Sequence, residues 1–153
     1  MIDSTCNDKI SIGLIVNPMA GIGGRVGLKG SDGADIRSAA FSLGAVQEAP
    51  AKAVKALSRL KEAVPDLKII TCPGAMGFDE AVEAGFADES IEVLEGISKT
   101  NTEAEDTVNA AEKMLARRVR LILFAGGDGT ARDVYRSVGD GIPVLGIPAG
   151  VKI

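Results

Sequence analysis

Apolar and polar residues fall into short alternating blocks along this chain. Residues 10–16 (Ile-Ser-Ile-Gly-Leu-Ile-Val) are almost wholly apolar, the pattern of a strand covered on both faces. Residues 50–64 switch to helical spacing: Pro50 suits a first helical position, Pro65 forbids continuation, and Val54, Leu57, Leu60 and Val64 share one face. Residues 67–72 read as a second strand, residues 78–84 as a helix stopping at Gly85, and residues 91–94 as a third, short strand. Thr102 and Glu105 have capping-box spacing, opening a helix that runs to about Arg118. Val108, Ala111 and Leu115 form its expected buried stripe, and Arg117 and Arg118 complement the negative end of its dipole. Residues 120–125 (Arg-Leu-Ile-Leu-Phe-Ala) predict the clearest strand. A turn at residues 126–130, a helix over 131–138 and a last strand over 142–147 follow.

Strand and helix thus alternate five times. Strands joined by helical crossovers pair in parallel, so the expected fold is α/β, an open parallel sheet with helices on both faces. Such sheets bind ligands outside the carboxyl ends of their strands. The segments following the strands (17–21, 73–77, 96–102, 126–130 and 148–150) are rich in Gly and small polar residues, while those entering the strands are not. One edge of the sheet is therefore marked as the active edge.

Composition narrows the chemistry. The length of 153 residues suits one domain, 1–153, with a substantial core. With no Trp and one Tyr, that core is aliphatic, and the aromatic platforms of single-strand nucleic-acid binders are lacking. A net charge of −4 gives no general attraction for polyanions, so a phosphate must be held by local geometry and no nucleic-acid partner is expected. The absence of His excludes His-based acid–base chemistry and His-ligated metals within this chain. Cys6 and Cys72 alone make neither a zinc site nor a disulfide framework, and no metal-ligand set is read from the sequence. Residues 1–9 are polar without a signal-peptide core, and no apolar run approaches a membrane span, so a soluble cytoplasmic protein is expected. Self-association is left open.

Gly126-Gly127-Asp128-Gly129-Thr130 carries the sharpest chemical signal. Glycines let backbone N–H groups approach a phosphate, and the following helix offers its positive end to an anion. A loop that only cradled phosphate would avoid a carboxylate, so Asp128 implies a further role, in orienting or deprotonating a hydroxyl or in holding a divalent cation. Thr130 can donate its hydroxyl to phosphate or cap the helix. An Asp-Gly hairpin turn is the plain alternative, but a strand precedes this segment and a helix follows it. A second glycine-rich stretch, residues 17–35, is too long for a simple connection. It fits neither the dinucleotide fingerprint nor the P-loop, because Val26 stands where a third glycine belongs and Lys29 lies outside a Walker frame. A flexible linker and a phosphate-contacting loop both remain open for it, with Arg25 and Lys29 as candidate contacts. A short helix over residues 36–43 is plausible beyond it. Arg132 sits in a first helical turn, where either an anionic ligand or a pairing with Asp133 or Asp140 would account for it. Met76 and Cys72 read as core residues.

Two of these segments together resemble the superfamily of NAD kinases, diacylglycerol-type lipid kinases and phosphofructokinases. Residues 126–130 are similar to its shared GGDGT or GGDGS motif, and Asn17-Pro18-Met19-Ala20-Gly21 to the N-P-x-S/A-G segment of the lipid-kinase branch. Gly13-Leu14-Ile15-Val16-Asn17-Pro18, Gly23 to Gly30 and Ile147-Pro148-Ala149-Gly150-Val151-Lys152 look most like the ATP-NAD kinase branch. The resemblance implies a Rossmann-like N-terminal domain and phosphoryl transfer from ATP or polyphosphate to the 2′-hydroxyl of NAD, with Mg²⁺. It implies that Asp128 meets the acceptor hydroxyl as base or positioner. Gly126, Gly127, Gly129 and Thr130 would face nucleotide phosphates, and Asn17 and Gly21 would help form the nucleotide pocket. It further implies a β-rich C-terminal domain that this chain does not include. Other kinases of the superfamily, with lipid or sugar acceptors, and a non-catalytic nucleotide-binding module are the alternatives.

Overall fold

The computed structural model describes residues 9–20, 48–98 and 104–149. Among them run β1 (Ser11–Val16), α1 (Ala49–Ala63), β2 (Lys68–Thr71), α2 (Phe78–Glu83), β3 (Ile91–Val93), α3 (Ala104–Ala116), β4 (Ile122–Gly126), α4 (Asp128–Val138) and β5 (Val144–Pro148). Short 3-10 turns at Gly74–Met76 and Asp88–Ser90 lead into α2 and β3. The five strands form one sheet in the order β3-β2-β1-β4-β5, every pair parallel. The expected open parallel α/β sheet is what the chain forms.

Strand periodicity divides the core into two layers. From β1, Ile12, Leu14 and Val16 join Ala49, Ala53 and Leu57 of α1, Ala81 of α2, and Leu123 and Ala125 of β4. Ile15 points the other way, with Ile122 and Phe124 of β4, Met114 of α3, and Val134 and Val138 of α4. The near-continuous apolar runs of β1 and β4 follow from this: each strand is covered on both faces. Gly13 leaves room for Met114, since a Cβ there would lie 2.4 Å from Met114 Sδ and that side chain would have to shift. Its small size lets α3 settle onto β1.

Two helix faces differ from expectation. In α1, Ala49, Ala53 and Leu57 are buried, with Leu60 and Val64 packed against them and Val54 only half-buried. In α3 the buried residues are Thr107, Ala110, Ala111 and Met114, whereas Val108 is half-buried and Leu115 exposed. Met114 packs over Gly13, and the buried face is turned by about one residue, or about 100°, from the expected one. The stripe read from sequence left out Thr107 because it is polar, and took Leu115 where its neighbour Met114 is the buried residue. The helix after β4 begins at Asp128 rather than 131, so part of the expected turn is its first turn. The expected helix over 36–43, the Thr102 cap and the glycines at 21–33 lie outside the described residues.

Candidate functional site

The strand order places a topological switch between β1 and β4. The chain after β1 leads to α1 on one face of the sheet, while β4 leads to α4 on the other. Where neighbouring strands send their connections to opposite faces, a crevice opens at their carboxyl ends. The two segments that meet at this crevice are the ones singled out from sequence: residues 17–20 after β1 and residues 126–130 after β4.

Asn17 ties them together. Its backbone N–H donates to the Ala125 carbonyl at 2.9 Å. Its side-chain amide donates to Thr130 Oγ1 at 3.1 Å, and its Oδ1 accepts the Met19 N–H at 3.1 Å, closing a tight turn. Asn17 therefore fixes the shape of the crevice floor. Gly21, its predicted companion, lies outside the described residues.

The glycines of the second segment have different reasons to be there. Gly126 is buried at the end of β4, and a Cβ on it would lie 2.4, 2.6 and 2.8 Å from the Oγ1, Cβ and Cγ2 atoms of Thr130. Packing alone demands that glycine. Gly127 precedes α4 with φ −105° and ψ −161°, a conformation open to any residue. Gly129 lies inside the first turn, where glycine costs about 1 kcal/mol relative to alanine. Neither Gly127 nor Gly129 has a positive φ. Backbone handedness therefore requires neither of them.

Asp128 is the first residue of α4 and is exposed at this edge. Among the described residues no side chain caps α4, so Thr130 does not serve as its cap and the first-turn N–H groups have no side-chain acceptor there. Thr130 is buried, with its hydroxyl accepting from Asn17. Arg132, one residue beyond the first turn, is exposed and makes no ion pair with Asp133 or Asp140 among the described residues. Lys52, which sequence reading missed, reaches from the start of α1 to donate to the Pro148 carbonyl at 3.2 Å. Its only available signal was a cation one turn into a helix that begins at the active edge.

Glu80, in the first turn of α2, was also missed. It is 3 % exposed, and its Oε2 has no hydrogen-bond partner among the described residues. Burial pushes its carboxyl up to about 7, against backbone hydrogen bonds that pull it down. Local pattern holds no sign of this, because Val82 beside it is the exposed residue. Met76 and Cys72 are core, as expected, and burial raises the Cys72 thiol to about 12, so it is no nucleophile. No group of three metal-ligating side chains exists among the described residues. A divalent cation at the crevice would have Asp128 as a carboxylate ligand and would complete its shell with phosphate oxygens and water, a common arrangement for Mg²⁺. No helix among the described residues is long and apolar enough to cross a membrane.

The family model described as the ATP-NAD kinase N-terminal domain matches residues 12–153. A comparison with curated proteins gave no match.

Proposed function

This chain belongs to the ATP-NAD kinase N-terminal domain family, whose kinase-like function it shares, and from that premise we propose that it serves NAD phosphorylation. The reaction moves the terminal phosphoryl group of ATP or polyphosphate onto the 2′-hydroxyl of NAD. The observation that carries this reading is the placement of Asp128. It is an exposed carboxylate on the first turn of α4, at the switch between β1 and β4, flanked by two glycines that the backbone conformation does not require.

Asp128 accepts a hydrogen bond from the acceptor hydroxyl and aims its oxygen at phosphorus. As the new O–P bond forms, the bond to the leaving phosphate oxygen breaks, and the hydroxyl proton passes to the carboxylate. The uncapped N–H groups of α4 face the phosphates, and the lack of side chains at Gly127 and Gly129 permits close approach. Arg132 adds positive charge nearby. Mg²⁺ would neutralise phosphate charge, and Asp128 would be its carboxylate ligand among the described residues at the crevice. Asn17 and Thr130 act by holding β1 and α4 in register.

The test is an acceptor panel of NAD, diacylglycerol and fructose 6-phosphate with labelled ATP or polyphosphate. NADP as the labelled product supports the reading. Label in the lipid or the sugar, or nucleotide binding with no product, refutes it.

A further inference from the structure

At the opposite, amino edge of the sheet lies an open groove of about 830 Å³. Five cations line it, Lys9, Lys68, Arg117, Arg118 and Arg120, against one carboxylate, Glu92. This concentration of positive charge belongs to a chain whose net charge is −4. The residues are far apart in sequence and meet through parallel register. Ser11 stands beside Lys68, Ile70 stands beside Glu92, and the Arg120 N–H donates to the Ser11 carbonyl at 2.9 Å.

Glu92 is already engaged. It pairs with Lys68 at 3.1 Å and with Arg117. Lys9, Arg118 and Arg120 have no ion-pair partner among the described residues, so the groove keeps an excess of positive charge. The carboxyl end of the α3 dipole attracts Arg117 and Arg118, but it accounts for neither Lys9 nor Arg120. Arg118 adds a second peculiarity. It sits just past α3 at φ 54°, a left-handed conformation that costs a non-glycine residue roughly 1–2 kcal/mol. Glycine is the usual occupant of such a position. Here an arginine takes it and lines the groove.

We infer that this groove is a second anion site, built for a compact, multiply phosphorylated small molecule. The volume is that of a small-ligand site, the lining is polar and cationic, and the uncancelled charge matches an anion with about three or four negative charges. Guanidinium groups two positions apart, Arg118 and Arg120, can each grip phosphate oxygens through paired N–H donors. The site is separate from the crevice at the carboxyl edge and does not rest on the kinase reading.

The probe is inorganic tripolyphosphate, titrated into ¹⁵N-labelled protein at low salt, with citrate as the carboxylate arm. The expected result is movement of the amides of Ser11, Lys68, Arg118 and Arg120. Arg118→Asn combined with Arg120→Gln should weaken binding roughly ten-fold, since each exposed cation is worth up to about a few-fold. Asparagine tolerates the left-handed conformation, so the loss reports charge and not misfolding. Glu92→Gln removes the competing carboxylate and should tighten binding by about two- to five-fold. Salt should weaken the wild-type complex steeply. The inference is overturned if the groove amides stay still while only residues 126–130 move. It is equally overturned if the double variant binds unchanged, or if citrate binds as tightly as tripolyphosphate.

Discussion

Gly126→Ala tests the packing that holds the two halves of the crevice together. The added Cβ would meet three atoms of Thr130 below 3.0 Å: Oγ1 at 2.4 Å, Cβ at 2.6 Å and Cγ2 at 2.8 Å. Thr130 cannot simply turn away, because it is buried and α4 is already closed behind it by the Ala131 N–H to Gly127 carbonyl bond at 3.0 Å. Overpacking of this kind costs about 1–3 kcal/mol. Displacing Thr130 also breaks its hydrogen bond from Asn17, worth about 1 kcal/mol. The expected loss is about 2–4 kcal/mol, read by urea denaturation with unchanged m-value. The geometry also orders the rescue. Thr130→Ala removes the contacts at 2.4 and 2.8 Å but leaves Cβ at 2.6 Å, so it relieves the clash only in part. Thr130→Gly removes all three, at a helix penalty of its own of about 1 kcal/mol. The double-mutant cycle should therefore show favourable coupling of about 1–3 kcal/mol, larger with glycine than with alanine at position 130. A loss below about 0.5 kcal/mol for Gly126→Ala, or an equal loss in the Thr130→Gly background, would refute the reasoning.

Other consequences follow from single residues. Burial raises the Glu80 carboxyl from 4.5 to about 7, so its stabilising protonated form is fully present below pH 4.5 and is lost as pH rises through 7. Glu80→Gln should match wild type at pH 4 and be more stable at pH 8. The shift is worth on the order of 2–3 kcal/mol; denaturation curves at the two pH values give the difference. Asn17→Ala loses the bonds to Thr130 and to the Met19 N–H and should cost about 1–2 kcal/mol, seen as a lower Tm. Cys72, buried and with its thiol raised to about 12, should resist iodoacetamide at pH 8 until the protein unfolds, as peptide mapping would show.

What could be read in the sequence is what depends on local pattern. The apolar runs of β1 and β4 announced strands covered on both faces, and the alternation with helices announced parallel pairing. The segment at 126–130 stood out because glycines flank a carboxylate between a strand and a helix. Features set by distant contacts were hidden. The buried face of α3 depends on Met114 meeting Gly13, and the need for glycine at 126 depends on a side chain four residues on. Glu80 is buried while Val82 is exposed, a reversal that hydropathy alone cannot foresee. The cationic groove depends on strand register, which brings Lys68 beside Ser11 and Glu92 beside Ile70.

Asp128 carries the kinase reading, and NADP formation by the protein with Asp128→Asn measures its role most directly. The side chain is exposed and makes no hydrogen bond or ion pair among the described residues, so the variant should keep nearly wild-type stability, losing only the small attraction of a carboxylate to the first turn of α4. Loss of the positioning and proton-accepting carboxylate should lower turnover by about 10²- to 10⁴-fold. NADP formation at the wild-type rate would contradict the account.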